Sequence, residues 1–424
     1  MKKALLLSVV ASVAVMAGGD IAPVPAPVVE EVSAWDFSGQ AAIYYQTLSE
    51  KDFLGTGDPD LFSQTSSMAD FGLQLRAVNK DVFWGIGFGG EVSGLATLNL
   101  ENSIVSNVMQ GTGGSDPLTG GWISQLYATY GFGNTSIKAG RQELPKALSP
   151  FAFSEKWNVF SNTFDSVLVV NTDLPDTTVV GAYVYGGNFS GIGAGNDMSD
   201  FYSFNDHDGV WMLTLQNKSV EGLTLTGSWY YAVDFADNNL GATTGNDVNI
   251  LWGDAKYAFS DYVIAGQLGS WMDDDFADDS FAWGLKAAGN FDMFSASLAY
   301  TSVDDGGMQG LTTTNVGGVK TPLYTQLILN QAFISYDSDT FVARAGLKAL
   351  GGKFGAAYNY SDLGDSRRLG SGEYNEFDLT YKTKVFNGST TLFAGYIYQD
   401  KSFDDVAISD FDQNVIRFWG RYNF

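Results

Sequence analysis

The stretch DQNVIRFWGRYNF, residues 412–424, decides the fold. In an extended chain it puts Ile416, Phe418, Tyr422 and Phe424 on one face and Arg417 and Arg421 on the other. The same period of two recurs along the chain. Trp35, Phe37, Ala41, Ile43 and Tyr45 alternate with polar or small residues, as do Ile86, Phe88 and Val92. So do Leu126, Ala128 and Tyr130, then Leu223, Leu225, Trp229 and Tyr231, then Phe341, Ala343 and Ala345, and Phe377, Leu379 and Tyr381. Segments of about ten residues with one apolar face are strands, not helices.

Composition sets the class. The 424 residues include 50 Gly, 30 Phe, 21 Tyr and 10 Trp, and only 17% are charged, which excludes a disordered chain. There is no Cys, so disulfides, thiolate metal sites and thiol catalysis are excluded. The formal charge of −25 argues against nucleic acid as a partner. His207 is the sole histidine, in a turn-like NDHDG sequence, and leaves too little for His-based catalysis; no enzyme is expected. The Gly-rich run 85–90 lacks the Lys-Ser/Thr of a phosphate loop and reads as close-packed inner wall.

Connection lengths separate a soluble sandwich from a barrel. Short turns are expected at 79–81, 133–134, 172–176, 219–222, 259–261, 291–292 and 386–388, with an eighth at either 337–339 or 350–352. Long polar loops lie near 48–70, 97–120, 142–163, 187–208, 235–246, 272–279, 303–327, 362–372 and 401–410. Short turns on one rim and long loops on the other describe a transmembrane antiparallel β-barrel of about eighteen strands, with external loops and periplasmic turns. Lys2 and Lys3, the apolar run 4–16 and small residues to Ala17 predict a secretory signal peptide over 1–17. Residues 18–33 form a Pro/Ala-rich arm, and the barrel takes 34–424. An aromatic at position 424 resembles the assembly signal of bacterial outer-membrane proteins, and the expected location is the bacterial outer membrane, in contact with its lipid.

The segment Gly121–Pro175 is the most motif-like. A hairpin runs into Ala139, Gly140, Arg141 and Gln142, a long loop follows, and Asn162, Thr163, Phe164 and Asp165 open the next strand. This resembles the Campylobacter-type major outer-membrane porins and the related OprD-type porins. The resemblance implies eighteen strands, a homotrimer, and a third external loop, here 142–163, folded into the lumen. Arg141 then stands where that loop leaves its strand.

On this reading the pore constriction comprises Arg141, Glu143, Lys146, Glu155 and Lys156, both signs together. Strand parity places Arg76, Glu91, Lys138, Lys286, Arg344, Lys348, Lys382, Arg417 and Arg421 on the pore wall, since lipid-facing Arg or Lys costs roughly 2–4 kcal/mol at the midplane. Asp273, Asp274 and Asp275 form an acidic mouth that attracts cations and offers oxygen ligands for loop-bound calcium; no other cofactor is expected. The expected function is passive diffusion of small hydrophilic solutes and ions with modest cation selectivity. The alternatives are a specific channel for small carboxylates or amino acids, and a structural or adhesive surface protein.

Overall fold

The computed structural model describes residues 35–50, 60–112, 119–235, 247–273, 278–307, 313–367, 370–405 and 410–424. The signal peptide 1–17, the arm 18–33, Asp274 and Asp275 lie outside the described residues.

Among the described residues eighteen long antiparallel strands form one closed sheet, to which a two-residue strand, Tyr202–Ser203, adds at Gly186 and Gly187. They are β1 (Asp36–Glu50), β2 (Ser67–Phe83), β3 (Ile86–Ala96), β4 (Thr119–Phe132), β5 (Thr135–Gln142) and β6 (Phe164–Asn171). Next come β7 (Thr177–Gly187), β8 (Val210–Asn217), β9 (Leu223–Ala232), β10 (Val248–Phe259), β11 (Tyr262–Asp273) and β12 (Ser280–Phe291). The last six are β13 (Phe294–Val303), β14 (Ser338–Ala349), β15 (Gly352–Leu363), β16 (Gly372–Val385), β17 (Thr390–Phe403) and β18 (Phe411–Asn423). Each strand pairs with its chain neighbour, and β18 pairs with β1 from Gln40 opposite Asn423 to Glu50 opposite Gln413. That seam leaves no open edge, so every ladder is satisfied without water.

Turns and long loops alternate as the connection lengths predict, with two corrections. The first hairpin turns at Trp84–Gly85, not at 79–81; both residues have positive φ. Asn79 Oδ1 accepts the N–H of Asp81 at 3.0 Å, which is turn chemistry, but β2 absorbs it as an irregularity between Asn79 and Phe83. The eighth turn is Leu350–Gly351, a two-residue hairpin with φ of 53° and 75°. The other candidate, 337–339, is where a long loop enters β14, and that loop runs on to 337 instead of ending at 327.

Parity gives the wall two faces. Leu73, Leu75, Leu126, Leu213, Leu251, Leu268, Leu285 and Leu298 are all more than 40% exposed, and all lie on the outer side. Aromatics bracket this band. Near the short turns Tyr257, Phe259, Tyr262 and Phe291 form a continuous chain of ring contacts. Toward the long loops Tyr183–Trp211, Trp229–Tyr231 and Trp283–Tyr300 pair. An apolar band between two aromatic rims faces lipid.

Inside, small residues let bulky ones in. A Cβ on Gly89 would sit 2.3 Å from the Tyr127 ring, so Gly89 is packed inner wall, whereas Gly85 serves the hairpin turn and Gly90 lies on the outer side opposite Leu126. At the seam the backbone N–H of Phe424 donates to Gly39 O at 3.1 Å, Gly39 N–H donates to Phe424 O at 2.8 Å, and the Phe424 ring covers Gly39. The ring is 53% exposed, so Phe424→Ala is expected to destabilise a refolded barrel by less than about 1 kcal/mol. The same change should sharply lower outer-membrane assembly. Periplasmic accumulation in cells and melting of refolded protein measure the two, and equal losses in both would contradict the targeting reading.

Candidate functional site: the lumen and its two inserted loops

The loop 143–163, between β5 and β6, crosses the barrel interior. At one end the N–H of Phe151 donates to Tyr230 Oη of β9, and its ring meets Trp252 of β10 edge-on at 5.3 Å. At the other, Tyr44 Oη of β1 donates to Trp157 O at 2.7 Å, and Arg421 of β18 donates to Asn158 O. The Phe160 ring covers Gly72 of β2, where a Cβ would stand 2.5 Å away. The loop therefore touches opposite walls.

A second loop, described over 304–307 and 313–337, lies against it. Glu155 is 2% exposed and joins the two: its Oε1 accepts from the N–H of Lys320 at 2.7 Å and from Asn315 Nδ2 at 2.9 Å. Its Oε2 accepts from Trp157 Nε1 at 2.7 Å. Lys146 Nζ donates to Thr321 O at 2.7 Å. The second loop is pinned to the wall in turn. Arg344 donates to Tyr324 O and Gln326 O at 3.1 and 3.0 Å, and Tyr324 Oη donates to Asp254. Leu329 N–H donates to Glu376 Oε1, and Asn330 Nδ2 to Asn359 Oδ1.

The residues expected at the constriction thus divide. Glu143 and Lys156 pair at 2.9 Å, so their charges offset each other. Lys146 reaches across to the second loop, and Glu155 is a buried hub, not an open charge. Arg141 stands apart, which corrects its expected place. Gly140 pairs with inward Tyr127, so Arg141 falls on the other side, opposite outward Leu126. There it forms a two-pronged pair with Asp165 at 2.8 and 3.0 Å and lies 3.1 Å under the Phe201 ring.

The wall residues lie on the inward side. Arg76 donates to Tyr127 Oη at 3.0 Å and is in register with Glu91, which accepts from Ser124 Oγ at 2.7 Å. Lys138 sits 3.8 Å over the Tyr127 ring, and Lys286 is 5.8 Å from the Tyr324 ring. Arg417 donates to Gln46 Oε1 at 2.7 Å and Arg421 to Gln40 Oε1 at 3.3 Å. Toward the short-turn rim, a cavity of about 1120 Å³ opens beneath the second loop. Its walls carry Lys286, Arg344, Lys348, Lys353, Lys382 and Lys384, with Asp378 as the acid among them. Lys348 is in register with Lys353, and Lys353 with Lys382. Directly opposed like charges destabilise a sheet, so this row works against the fold. In the next strands it continues into Phe393 and Trp419, stacked at 5.0 Å and 7°.

Lys353, Lys384, Lys320 and the second loop escaped the sequence reading. A signal existed for the loop: Leu323, Leu327, Ile328, Leu329, Phe333 and Ile334 are too apolar for an external connection. Lys320 is buried, and burial lowers its ammonium to about 8 against the opposing pull of Glu376 and Glu155. The acidic mouth is represented by Asp273 at the end of β11. Among the described residues no group of three or more acidic or histidine side chains is arranged to hold a metal ion. His207 is exposed in the loop between β7 and β8, and its carbonyl accepts from Tyr183 Oη.

No protein-family model matches the chain, and no curated protein matches it. Solved structures do. The chain is similar to Pseudomonas aeruginosa OccK1 (OpdK), with TM-score 0.67, 15% identity, and coverage of 92% of this chain and 99% of that one. It is similar to OccK8 (OprE) of the same organism, with TM-score 0.65, 14% identity, and coverage of 92% and 98%. OccK9 (OpdG) gives TM-score 0.67 and 14% identity over 92% and 99%. At these identities the likeness shows the fold, the closed eighteen-stranded barrel. The resemblance therefore stands at the level of the barrel fold, and nothing in these comparisons supports the Campylobacter-type naming.

Proposed function

We propose that this chain is an outer-membrane porin for passive diffusion of small hydrophilic solutes, and that its lumen favours small anions bearing carboxylates. The row Lys348, Lys353 and Lys382 carries the reading: like charges held in register on a wet inner wall cost stability and focus anions in a cavity. The barrel neighbours support the porin part. One of them, OpdK, was solved with vanillate, a carboxylate. The constriction in this reading is Glu143, Lys146, Lys156 and the Glu155 hub between the two loops, without Arg141. A homotrimer belongs to the same proposal, and cross-linking of protein in mild detergent tests it.

The second reading is a general porin with modest cation selectivity, favoured by the acidic loops, Asp273 among them. Mouth charges are screened beyond about 8 Å at physiological salt, whereas wall charges act at closer range on the permeating ion. Reversal potentials in planar bilayers separate the two readings, and a protein with no conductance would favour a structural or adhesive role.

A pH dependence follows from Lys320. An ordinary lysine stays charged to about pH 10.4. Lys320, lowered to about 8, is mostly charged at pH 7 and mostly neutral at pH 9. Burial lowers Lys146 of the constriction to about 8 as well, so raising pH across that window removes positive charge at both lysines and anion preference should weaken. Lys320→Met should move the pH 7 value toward the high-pH one and reduce the dependence, with Lys146 supplying the remainder; an unaltered pH profile in that variant would contradict the assignment.

A further inference from the structure

Loop 143–163 is held on two sides, and Glu155 accounts for one. The other side leads to Asp70, an inward residue of β2 with no solvent exposure. Its Oδ2 accepts the backbone N–H of Gln110 at 2.8 Å, and the N–H of Met109 bonds the same carboxylate. Its Oδ1 has no hydrogen-bond partner among the described residues. Burying a carboxylate for two loop N–H groups is costly, and the strand ladder does not need it.

Gln110 passes the anchor on. Its Nε2 donates to Phe160 O at 2.8 Å and its Oε1 accepts Phe160 N–H at 2.8 Å, so a side-chain amide stands where a β-partner would. Asn158 Nδ2 donates to Met109 O at 3.2 Å, tying the same two loops again, and to Gly191 O at 2.6 Å in the loop between β7 and β8. Gly72, the next inward position after Asp70 on β2, leaves bare backbone for the Phe160 ring. One strand thus offers a buried acceptor and a ring-sized recess, and both serve loop 143–163.

We infer that Asp70 and Gln110 are positioning residues that fix how far loop 143–163 reaches across the lumen, Asp70 acting through Gln110. Resting on the diffusion reading above, they set the pore cross-section and the size limit for solutes, though neither lines the constriction.

The chain has no Cys, so spin labels can be placed at Ala147→Cys in the loop and Leu350→Cys in an 85% exposed turn. Gln110→Ala and Asp70→Ala should each broaden the distance distribution between the labels and raise single-channel conductance roughly twofold. The double variant should do no more than either alone. Asp70→Asn should stay at the wild-type distribution, because its amide oxygen still accepts the Gln110 N–H. All variants should keep the heat-modifiable gel mobility of a folded barrel. If Asp70→Ala does not assemble, Gln110→Ala, which lies in a loop, decides the matter alone. An unchanged distance distribution in folded Gln110→Ala, or Asp70→Asn as disruptive as Asp70→Ala, overturns the inference. A wild-type protein silent in bilayers would instead remove the diffusion reading, leaving the distances to test the anchor.

Discussion

Replacing Lys348, Lys353 and Lys382 together by Glu is expected to turn an anion-preferring channel into a cation-preferring one. The three are directly opposed on β14, β15 and β16, on the inner wall of the lumen cavity beneath the second loop. The triple change shifts that wall by six charge units while leaving a row of equal charge density. The cost of like-charge opposition is therefore retained in sign, and barrel melting should move little. The three new carboxylates and Asp378 then outnumber Lys286, Arg344 and Lys384 on that wall, and cations gain the focusing that anions had. The reversal potential in a salt gradient should change sign, most clearly at low ionic strength. Retention of the wild-type sign in a folded triple variant would show that the row does not govern selectivity.

The second large effect is expected at Glu155. Replacing it with Ala leaves Lys320 N–H and Trp157 Nε1 without their acceptor and leaves Asn315 Nδ2 with the Phe153 carbonyl alone. Each such loss costs about 1–3 kcal/mol, more than most surface loops have to spare. Loop 304–337 should lift from loop 143–163 while the barrel, whose ladders are untouched, stays folded. Conductance should rise and become noisy, and proteolysis of folded protein within 313–337 should accelerate. Glu155→Gln keeps one acceptor oxygen and should fall between wild type and Glu155→Ala. Equal conductance and equal protease resistance in all three would show that the two loops do not depend on this contact.

The sequence exposes what repeats locally. Period two gave Lys138, Arg344 and Arg417 their inward side, because a half-slip would have put them in lipid. Turns such as Gly133–Asn134 are legible because Gly signals positive φ, here 54° at Gly133. The eighth stays open between 337–339 and 350–352 until strand pairing places it at Leu350–Gly351. Asn79 misled for a physical reason: its side chain makes a turn-like bond inside a strand that keeps going. Arg141 misled because its place in the loop came from resemblance, while pairing of Gly140 with Tyr127 decides which way it points. The Glu155–Lys320 contact has no local signature at all, since its partners lie 165 residues apart and meet only once both loops are inside. Lys353 hid in a Gly- and Ala-rich strand whose alternation is faint, and only register against Lys348 and Lys382 gives it meaning.

The most direct test is the zero-current potential of wild-type protein in a planar bilayer across a tenfold gradient of potassium chloride at pH 7. With the lysine row and the paired constriction governing permeation, chloride should be the more permeant ion, and the preference should weaken as salt rises. A potential that reports potassium as the more permeant ion at every salt concentration would contradict the account and return the decision to the acidic mouth.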